Sequence, residues 1–335
     1  MAGTILILTH EQDAHALPVE EILHRQNAQV VRVNLSDFPE RIQVAARLTS
    51  GGWAGSLTSQ DQDLLIESIQ SVWCRRPQPY RAHPGYAAPV RDFLEREAYR
   101  GFLGILLDPS KCTGPFWVSP RDRIQAAELK PAQLAAAASV GLRVPKTLLT
   151  NDPAAVRSFF HQECQGRMIA KVVGKGVLDP DGLFMAGEAR FLHTNLVQET
   201  HLKDLEGVRV TAHLFQEYIE KALELRVVVI GRQVFAVEIF SQASPRTAVD
   251  WRRFYPDLSY AVHQLPREVE HNLLQLVRHF GLQYSSADLI LTPEGEYVFL
   301  ELNPNGQFLW LAPHTGLPMA EAMANLLKSP EEYRL

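Results

Sequence analysis

The opening 35 residues constrain the fold more than any other stretch. Residues 4–9, Thr-Ile-Leu-Ile-Leu-Thr, are an apolar run of strand length. Residues 17–26 have helical spacing, with Pro18 near the start. Residues 29–35 alternate at Val31, Val33 and Leu35, as a second strand does. Strand, helix, strand in that order predicts a βαβ unit with a parallel pair, and so an α/β fold. The early His10, Glu11 and Asp13, with no charged lead-in, favour that first strand over a signal peptide.

Further along, Gly51-Gly52 and the Pro/Gly stretch 77–89 mark loops, and a helix is expected over 89–107. The first domain is expected to span residues 1–117, ending at Trp117. Residues 119–140 are Ala-rich and helical, stopped by Gly141 and Pro145. A strand over 168–173 runs into Gly174-Lys175-Gly176, and 191–197 and 208–215 are further strand candidates. Two hairpins follow, 224–230 with 233–239 and 286–291 with 297–303, separated by a helix over 272–280. A second domain is expected over 118–214 and a third over 215–335.

A formal charge of −5 gives no general attraction for nucleic acid or anionic membrane. No apolar run approaches the ~20 residues needed to span a bilayer. Cys74, Cys112 and Cys164 have neither zinc nor redox spacing, and they fit a reducing cytoplasm. His10-Glu11 and His15 are one residue too far apart for a helical zinc motif. No P-loop, dinucleotide fingerprint or Gly-x-Ser-x-Gly elbow occurs.

The last hairpin carries the first chemical signal. With a four-residue loop at 293–296, Thr292 pairs with Tyr297 and Asp288 falls opposite Glu301. Opposed residues share a face with Cβ atoms ~5 Å apart, and Asn303 lies on that face too. Two carboxylates that close repel, and a hard dication such as magnesium resolves the conflict. A solvated hairpin face is the other reading. Against it, Ala287, Leu289, Ile290, Phe299, Leu300 and Leu302 leave little polar alternation.

The nucleotide signals are weaker one by one. Gln216, Glu217, Tyr218 and Ile219 form an extended linker whose backbone can pair with the edge of an adenine. Glu224 and Arg226 point the same way on one strand, as a ribose acceptor and an anion clamp or as a surface ion pair. Lys171 in an apolar strand needs a partner, and a phosphate oxygen is one. Lys130 fits a solvated helix face equally well.

In order and combination these pieces resemble the ATP-grasp superfamily, and more closely the microviridin-type ribosomal peptide maturases, or graspetide synthetases. The resemblance runs over nearly the whole chain. It is carried by Ile5-Leu6-Ile7-Leu8-Thr9-His10, Val72-Trp73-Cys74-Arg75-Arg76, Gly141-Leu142-Arg143-Val144-Pro145-Lys146-Thr147, Phe215-Gln216-Glu217, Lys221-Ala222-Leu223-Glu224-Leu225-Arg226, Asp250-Trp251-Arg252-Arg253 and Glu301-Leu302-Asn303-Pro304-Asn305-Gly306-Gln307-Phe308. It implies a Rossmann-like pre-ATP-grasp domain at the N-terminus, a central lid domain and a C-terminal domain, with ATP between the last two. It makes Lys130 and Lys171 the phosphate lysines, residues 216–219 the adenine hinge (Ile219 through its backbone) and Glu224 the ribose acid. Asp288, Glu301 and Asn303 become the Mg2+ ligands. Arg226 stands beside the reacting carboxyl, and Arg252 becomes an acceptor-side contact. The flap Gly174-Lys175-Gly176 departs from the family, which is often richer in Ser there. Arg75 and Arg76 have no role in this reading; an interdomain or dimer contact and peptide binding both remain open.

The implied activity is ATP-dependent activation of Asp or Glu side chains of a precursor peptide with leader and core segments. The resulting acyl-phosphates close onto Ser/Thr as esters or Lys as amides. A homodimer is implied as well. The nearest rival keeps the fold and joins an amino acid or small peptide through a carboxylate–amine ligation.

Overall fold

The computed structural model describes residues 3–59, 63–107, 114–174, 176–178 and 190–335. Cys112 and Lys175 of the flap lie outside them.

The opening βαβ unit forms as the pattern predicts. Strand Thr4–Thr9, helix Ala16–Arg25 and strand Gln29–Val33 lead into a parallel four-stranded sheet. Its order is Gln29–Val33, Thr4–Thr9, Ile69–Arg76, Phe116–Val118. Every residue of Thr4–Thr9 is buried, as a central parallel strand requires. Ile5, Ile7 and Trp73 pack towards helices Ala16–Arg25 and Met319–Lys328 on one face. Leu6, Leu8 and Val72 pack on helix Ala88–Leu106 on the other. Between Gln29–Val33 and Ile69–Arg76 in the chain lies a hairpin, Gln43–Thr49 with Gly52–Thr58, extended by Asp63–Leu65. Only its turn is evident in the sequence. Most of Gln43–Thr49 is exposed or half-exposed, so it lacks the apolar alternation that marks a strand.

The middle of the chain forms an antiparallel sheet, ordered Asn195–Val197, Met168–Lys171, His213–Glu217, Thr147–Thr150. Met168 and Phe215 pack under Val156, Phe159 and Phe160 on one face. Four expectations shorten here: the strand expected over 168–173 ends at Lys171, and that over 191–197 is kept as Asn195–Val197 with Arg190–Phe191 paired elsewhere. The stretch 119–140 is two helices, Arg121–Ala127 and Lys130–Ser139, because Pro131 donates no backbone hydrogen bond and sits in the first turn of the second. The stretch 208–215 is partly a 3₁₀ turn, Glu206–Val210, and the strand starts only at His213.

The C-terminal sheet has five antiparallel strands, ordered Tyr260–His263, Gln233–Ile239, Leu223–Ile230, Tyr284–Leu291, Tyr297–Asn303. Val228, Ile230 and Val237 face helix Met319–Lys328. Leu225, Val227, Val229 and Leu289 face helices Lys130–Ser139 and Arg267–His279.

The last hairpin reaches its expected register by an unexpected route. Leu291, not Thr292, pairs with Tyr297, so the connection is one residue longer than expected. The Thr292 amide donates to the Glu296 carbonyl at 3.0 Å, and Gly295 closes the turn with φ 87°. A bulge then restores the count. Leu289 faces Phe299 and Asp288 faces Glu301, leaving Leu300 as the extra residue.

The outer edge of this bulged strand is held by a side chain. Gln133, 2% exposed in the Ala-rich helix, accepts from the Leu302 amide at 2.9 Å and donates to the Leu302 carbonyl at 2.7 Å. Its amide thus substitutes for a neighbouring strand one residue from Glu301. Gln133→Leu will leave both Leu302 groups buried and unpaired, so a loss of about 1–3 kcal/mol is expected, read from the urea midpoint.

Candidate active site

Three neighbouring strands of the C-terminal sheet place Arg226, Asp288 and Glu301 in one row, since Arg226 pairs with Asp288 and Asp288 with Glu301. Asn303 follows two residues on, opposite Ser286. The Arg226 guanidinium donates to Asp288 Oδ1 at 2.7 Å. Asn303 Nδ2 donates to both Asp288 Oδ2 and Glu301 Oε1, at 3.4 Å each. Asp288, Glu301 and Asn303 therefore converge on one face, as the hairpin count predicts.

Cations from three other elements close on this row. Lys130, the first residue of its helix, brings Nζ to 3.2 Å from Glu301 Oε2 and donates to the Val172 carbonyl at 3.0 Å. It is therefore not on a solvated helix face; it bridges the middle and C-terminal sheets. Arg252 reaches Glu301 Oε1 at 3.3 Å. Lys171 is half-buried beside them, and burial lowers its pKa against the pull of Glu301. Two carboxylates this close do not ionise independently. Burial raises the Asp288 pKa despite Arg226, and the neighbouring Glu301 adds to the rise. Burial alone would raise Glu301 too, but Lys130, Arg252 and Lys171 outweigh it and hold its pKa down.

Arg252 is itself fixed by Asp250, which accepts Nε at 2.9 Å, Nη2 at 3.2 Å and the Arg252 amide at 3.1 Å. Asp250 also accepts the Thr194 amide at 3.0 Å. Burial raises its pKa, yet these bonds more than compensate and bring it down to about 2. A folded pKa below the usual 3.8 means stability that is present above the ordinary carboxyl range and lost only as pH falls towards 2. Asp250 carries no role in the sequence reading. Its only signal is its place in Asp250-Trp251-Arg252-Arg253, where an Asp before a helical turn reads as a cap.

A cleft opens between the two antiparallel sheets beside this cluster. Gln216, Glu217, Tyr218, Ile219, Glu224, Lys171 and Arg252 all line it, with Pro145, Ile169, Ile290 and Leu300 as apolar walls. The bulge residue Leu300 is thus turned to use as a wall. In the linker, the Glu217 amide donates to Lys146 O at 3.1 Å and the Tyr218 amide to Arg167 O at 2.8 Å. Ile219 is the linker residue whose amide has no backbone acceptor among the described residues. The Glu217 carboxylate accepts from the Lys146 amide at 2.9 Å. Gln216 is buried, donates to Thr147 Oγ1 at 3.0 Å, and keeps its Oε1 without a partner among the described residues.

Glu224 and Arg226 do not pair with one another. Glu224 accepts from Lys221 Nζ at 2.8 Å, and Lys221 also donates to the Val249 carbonyl at 3.1 Å. Lys221 was missed in the sequence, although it opens Lys221-Ala222-Leu223-Glu224-Leu225-Arg226 three residues before Glu224.

The donor set suits a hard dication. Among the described residues no three His, Cys, Asp or Glu side chains form a metal cluster. The row instead offers two carboxylates, with the Asn303 side-chain amide beside them able to present its oxygen in place of Nδ2 by turning over, which leaves coordination positions for phosphate and water as Mg2+ prefers. Lys130, Lys171, Arg226 and Arg252 face Asp288, Glu301 and Asp250, one positive charge in excess, which is the sign that favours a polyphosphate.

Comparison with known proteins agrees with this geometry. A sequence-family profile described as the MvdD pre-ATP grasp domain matches residues 4–106. No curated protein sequence matches the chain. Among solved structures, the fold is similar to a RiPP-associated ATP-grasp ligase of Chryseobacterium gregarium in complex with ADP and a leader and core peptide. The TM-score is 0.85 at 27% identity, covering 97% of this chain and 96% of that one. Macrocyclase MdnC of Microcystis aeruginosa MRC, bound with precursor peptide MdnA, matches with TM-score 0.80 at 30% identity, covering 97% and 99%. Macrocyclase MdnB of the same organism matches with TM-score 0.78 at 31% identity, again covering 97% and 99%. Fold and cleft together define an ATP-grasp ligase. With MdnC and MdnB matched at that identity over nearly their full lengths, the chain belongs to the microviridin-type family of RiPP-associated ATP-grasp ligases.

Proposed function

We propose that the chain spends Mg2+ATP to close rings in a ribosomal precursor peptide with leader and core segments. An Asp or Glu side-chain oxygen of the peptide attacks the γ-phosphorus, the bond to the β–γ bridging oxygen breaks, and ADP leaves. The hydroxyl of a Ser or Thr, or the amine of a Lys, then attacks the acyl carbon. The carbon–oxygen bond to phosphate breaks, the nucleophile loses its proton, and an ester or amide remains. The observation that carries this reading is the Arg226–Asp288–Glu301 row, ringed by cations beside the cleft.

Asp288, Glu301 and Asn303 would hold Mg2+, which would supply neutralisation of phosphate charge. Lys130 and Lys171 draw the phosphates, and Arg226 steadies the reacting carboxyl and the transferring group. Arg252, fixed by Asp250, holds Glu301 in place at the acceptor side. The Ile219 amide meets the adenine edge, and Gln216, Glu217 and Tyr218 shape its slot. Glu224, oriented by Lys221, accepts a ribose hydroxyl. In domain terms, residues 1–117 are the pre-ATP-grasp unit, 118–214 the lid and 215–335 the C-terminal unit.

Glu224→Gln will weaken a charge-assisted bond to ribose, so KM for ATP is expected to rise about tenfold with kcat within about twofold, read by coupled ADP release.

We extend the proposal to a homodimer working in the cytoplasm, as the family resemblance implies. No helix among the described residues is long and apolar enough to cross a membrane. Light scattering on purified chain tests the dimer.

A rival reading joins a free amino acid or small peptide through a carboxylate–amine ligation. ADP release that requires a precursor peptide supports ring closure. Turnover with free amino acids and none with any precursor peptide would sink it.

A further inference from the structure

The parallel sheet reverses its strand order between Thr4–Thr9 and Ile69–Arg76. The chain leaves the first strand for Gln29–Val33 on one side and the other for Phe116–Val118 on the opposite side. In open α/β sheets the crevice at such a switch point receives a ligand. Here residues 305–309 of the same chain, which follow the Glu301–Asn303 ligand pair, occupy it. Arg75 lies at the end of its strand, 0% exposed. Its Nη1 donates to Asn305 O at 2.8 Å and approaches Gly306 O at 3.4 Å. Its Nε stands 3.5 Å from Asp13 Oδ2, and Asp13 is anchored by the Thr9 hydroxyl at 2.7 Å and the His15 amide at 3.0 Å. Asn305 Nδ2 donates back to the carbonyls of Cys74 and Arg75, and His15 Nδ1 accepts the Leu309 amide at 3.2 Å.

The other side of the same segment touches the active site. Arg226 Nη2 donates to Gln307 O at 3.2 Å, and the Tyr284 hydroxyl donates to Gly306 O at 2.6 Å. Gly306 has no room for a side chain: a Cβ would lie 2.9 Å from Arg226 Nη2 and 2.8 Å from Ser286 Cβ. Residues 305–307 are therefore a thin backbone wall between two buried arginines. A fully buried guanidinium is a costly way to hold two carbonyls if packing is its whole purpose. Arg75 also leaves Nε and Nη2 without a hydrogen-bond partner among the described residues, its contact with Asp13 being an ion pair alone.

We infer that Arg75 is a positioning residue for Arg226: the N-terminal unit clamps residues 305–307 through the Asp13–Arg75 pair and so fixes the seat of the Arg226 guanidinium. This rests on the ring-closing reaction proposed above for its kinetic consequence, though not for its structural one.

The test uses the full chain with Asn305→Ala and, separately, with Asp13→Asn and Arg75→Met together, which removes both buried charges at once. Each is made in the wild-type and in the Arg226→Lys background. Expected are a kcat lowered about tenfold or more, KM for ATP within about twofold, and less than about threefold further loss on top of Arg226→Lys. Hydrogen exchange at residues 305–309 is expected to quicken in the Asn305→Ala chain, which keeps the charge pair and the fold. Unchanged kcat in a folded variant, a loss that multiplies in full with that of Arg226→Lys, or unchanged exchange at 305–309 overturns the inference. A wild-type chain that releases no ADP with any peptide removes the proposed reaction instead, and the exchange result still decides whether the clamp exists.

Discussion

Glu301→Gln is expected to lower peptide-dependent ADP release by about a thousandfold, with the chain still folded. The substitution keeps shape and removes one charge. That charge is what Lys130, Arg252 and Lys171 converge on, and all three lower its pKa against burial. A neutral amide there offers a weaker ligand to a dication and leaves three cations without their common anion. A thousandfold loss corresponds to about 4 kcal/mol of barrier. The fold is expected to survive because two of the three cations keep other partners: Lys130 holds the Val172 carbonyl and Arg252 keeps its fork on Asp250. Circular dichroism beside the coupled ADP assay checks both halves. Undiminished ADP release in the Gln variant would remove Glu301 from the reaction.

Arg226→Lys is expected to lower kcat about a hundredfold while changing KM for ATP only a few-fold. Arg226 donates Nη1 to Asp288 and Nη2 to the Gln307 carbonyl, a two-pronged hold. A lysine is a point charge and cannot span both with a planar fork. The proposed adenine hinge, residues 216–219, and Glu224 line the cleft, whereas Arg226 is not among its lining residues, so nucleotide affinity is expected to change least. Arg226→Ala is a poorer probe. It leaves Asp288 buried without its counterion, and breaking a buried pair in that way costs about 3–5 kcal/mol of stability. Single-turnover kinetics with saturating ATP separate the two variants.

Much of this site was legible in the sequence because its central row lies on one hairpin and the strand next to it. Counting residues through the turn put Asp288 opposite Glu301, and the structure has them opposed. The count succeeded by cancellation. The turn is one residue longer than expected and the bulge at Leu300 restores the register; neither leaves a mark in hydrophobic alternation. Lys130 and Lys171 appeared as lone lysines; the packing of helix Lys130–Ser139 on the C-terminal sheet brings the first to Glu301, and the middle sheet brings the second beside it.

What sequence did not disclose has more than one cause. Asp250 and Lys221 act on residues near them in the chain, and charged neighbours at such spacings are common in solvated turns. Gln133 pairs with Leu302 across 169 residues, and Arg75 with Asn305 across 230. Nothing local requires either contact. The hairpin Gln43–Thr49 with Gly52–Thr58 escaped notice because its strands are not buried enough to carry a period-two pattern.

The central claim is ring closure in a ribosomal peptide. Its most direct test is the intact mass of a candidate precursor peptide incubated with the chain, ATP and Mg2+, alongside the Glu301→Gln variant. The account predicts loss of one water mass per ring from the core segment, one ADP released for each, and neither with the variant. A precursor peptide left at its starting mass while the chain turns over ATP with free amino acids would contradict it.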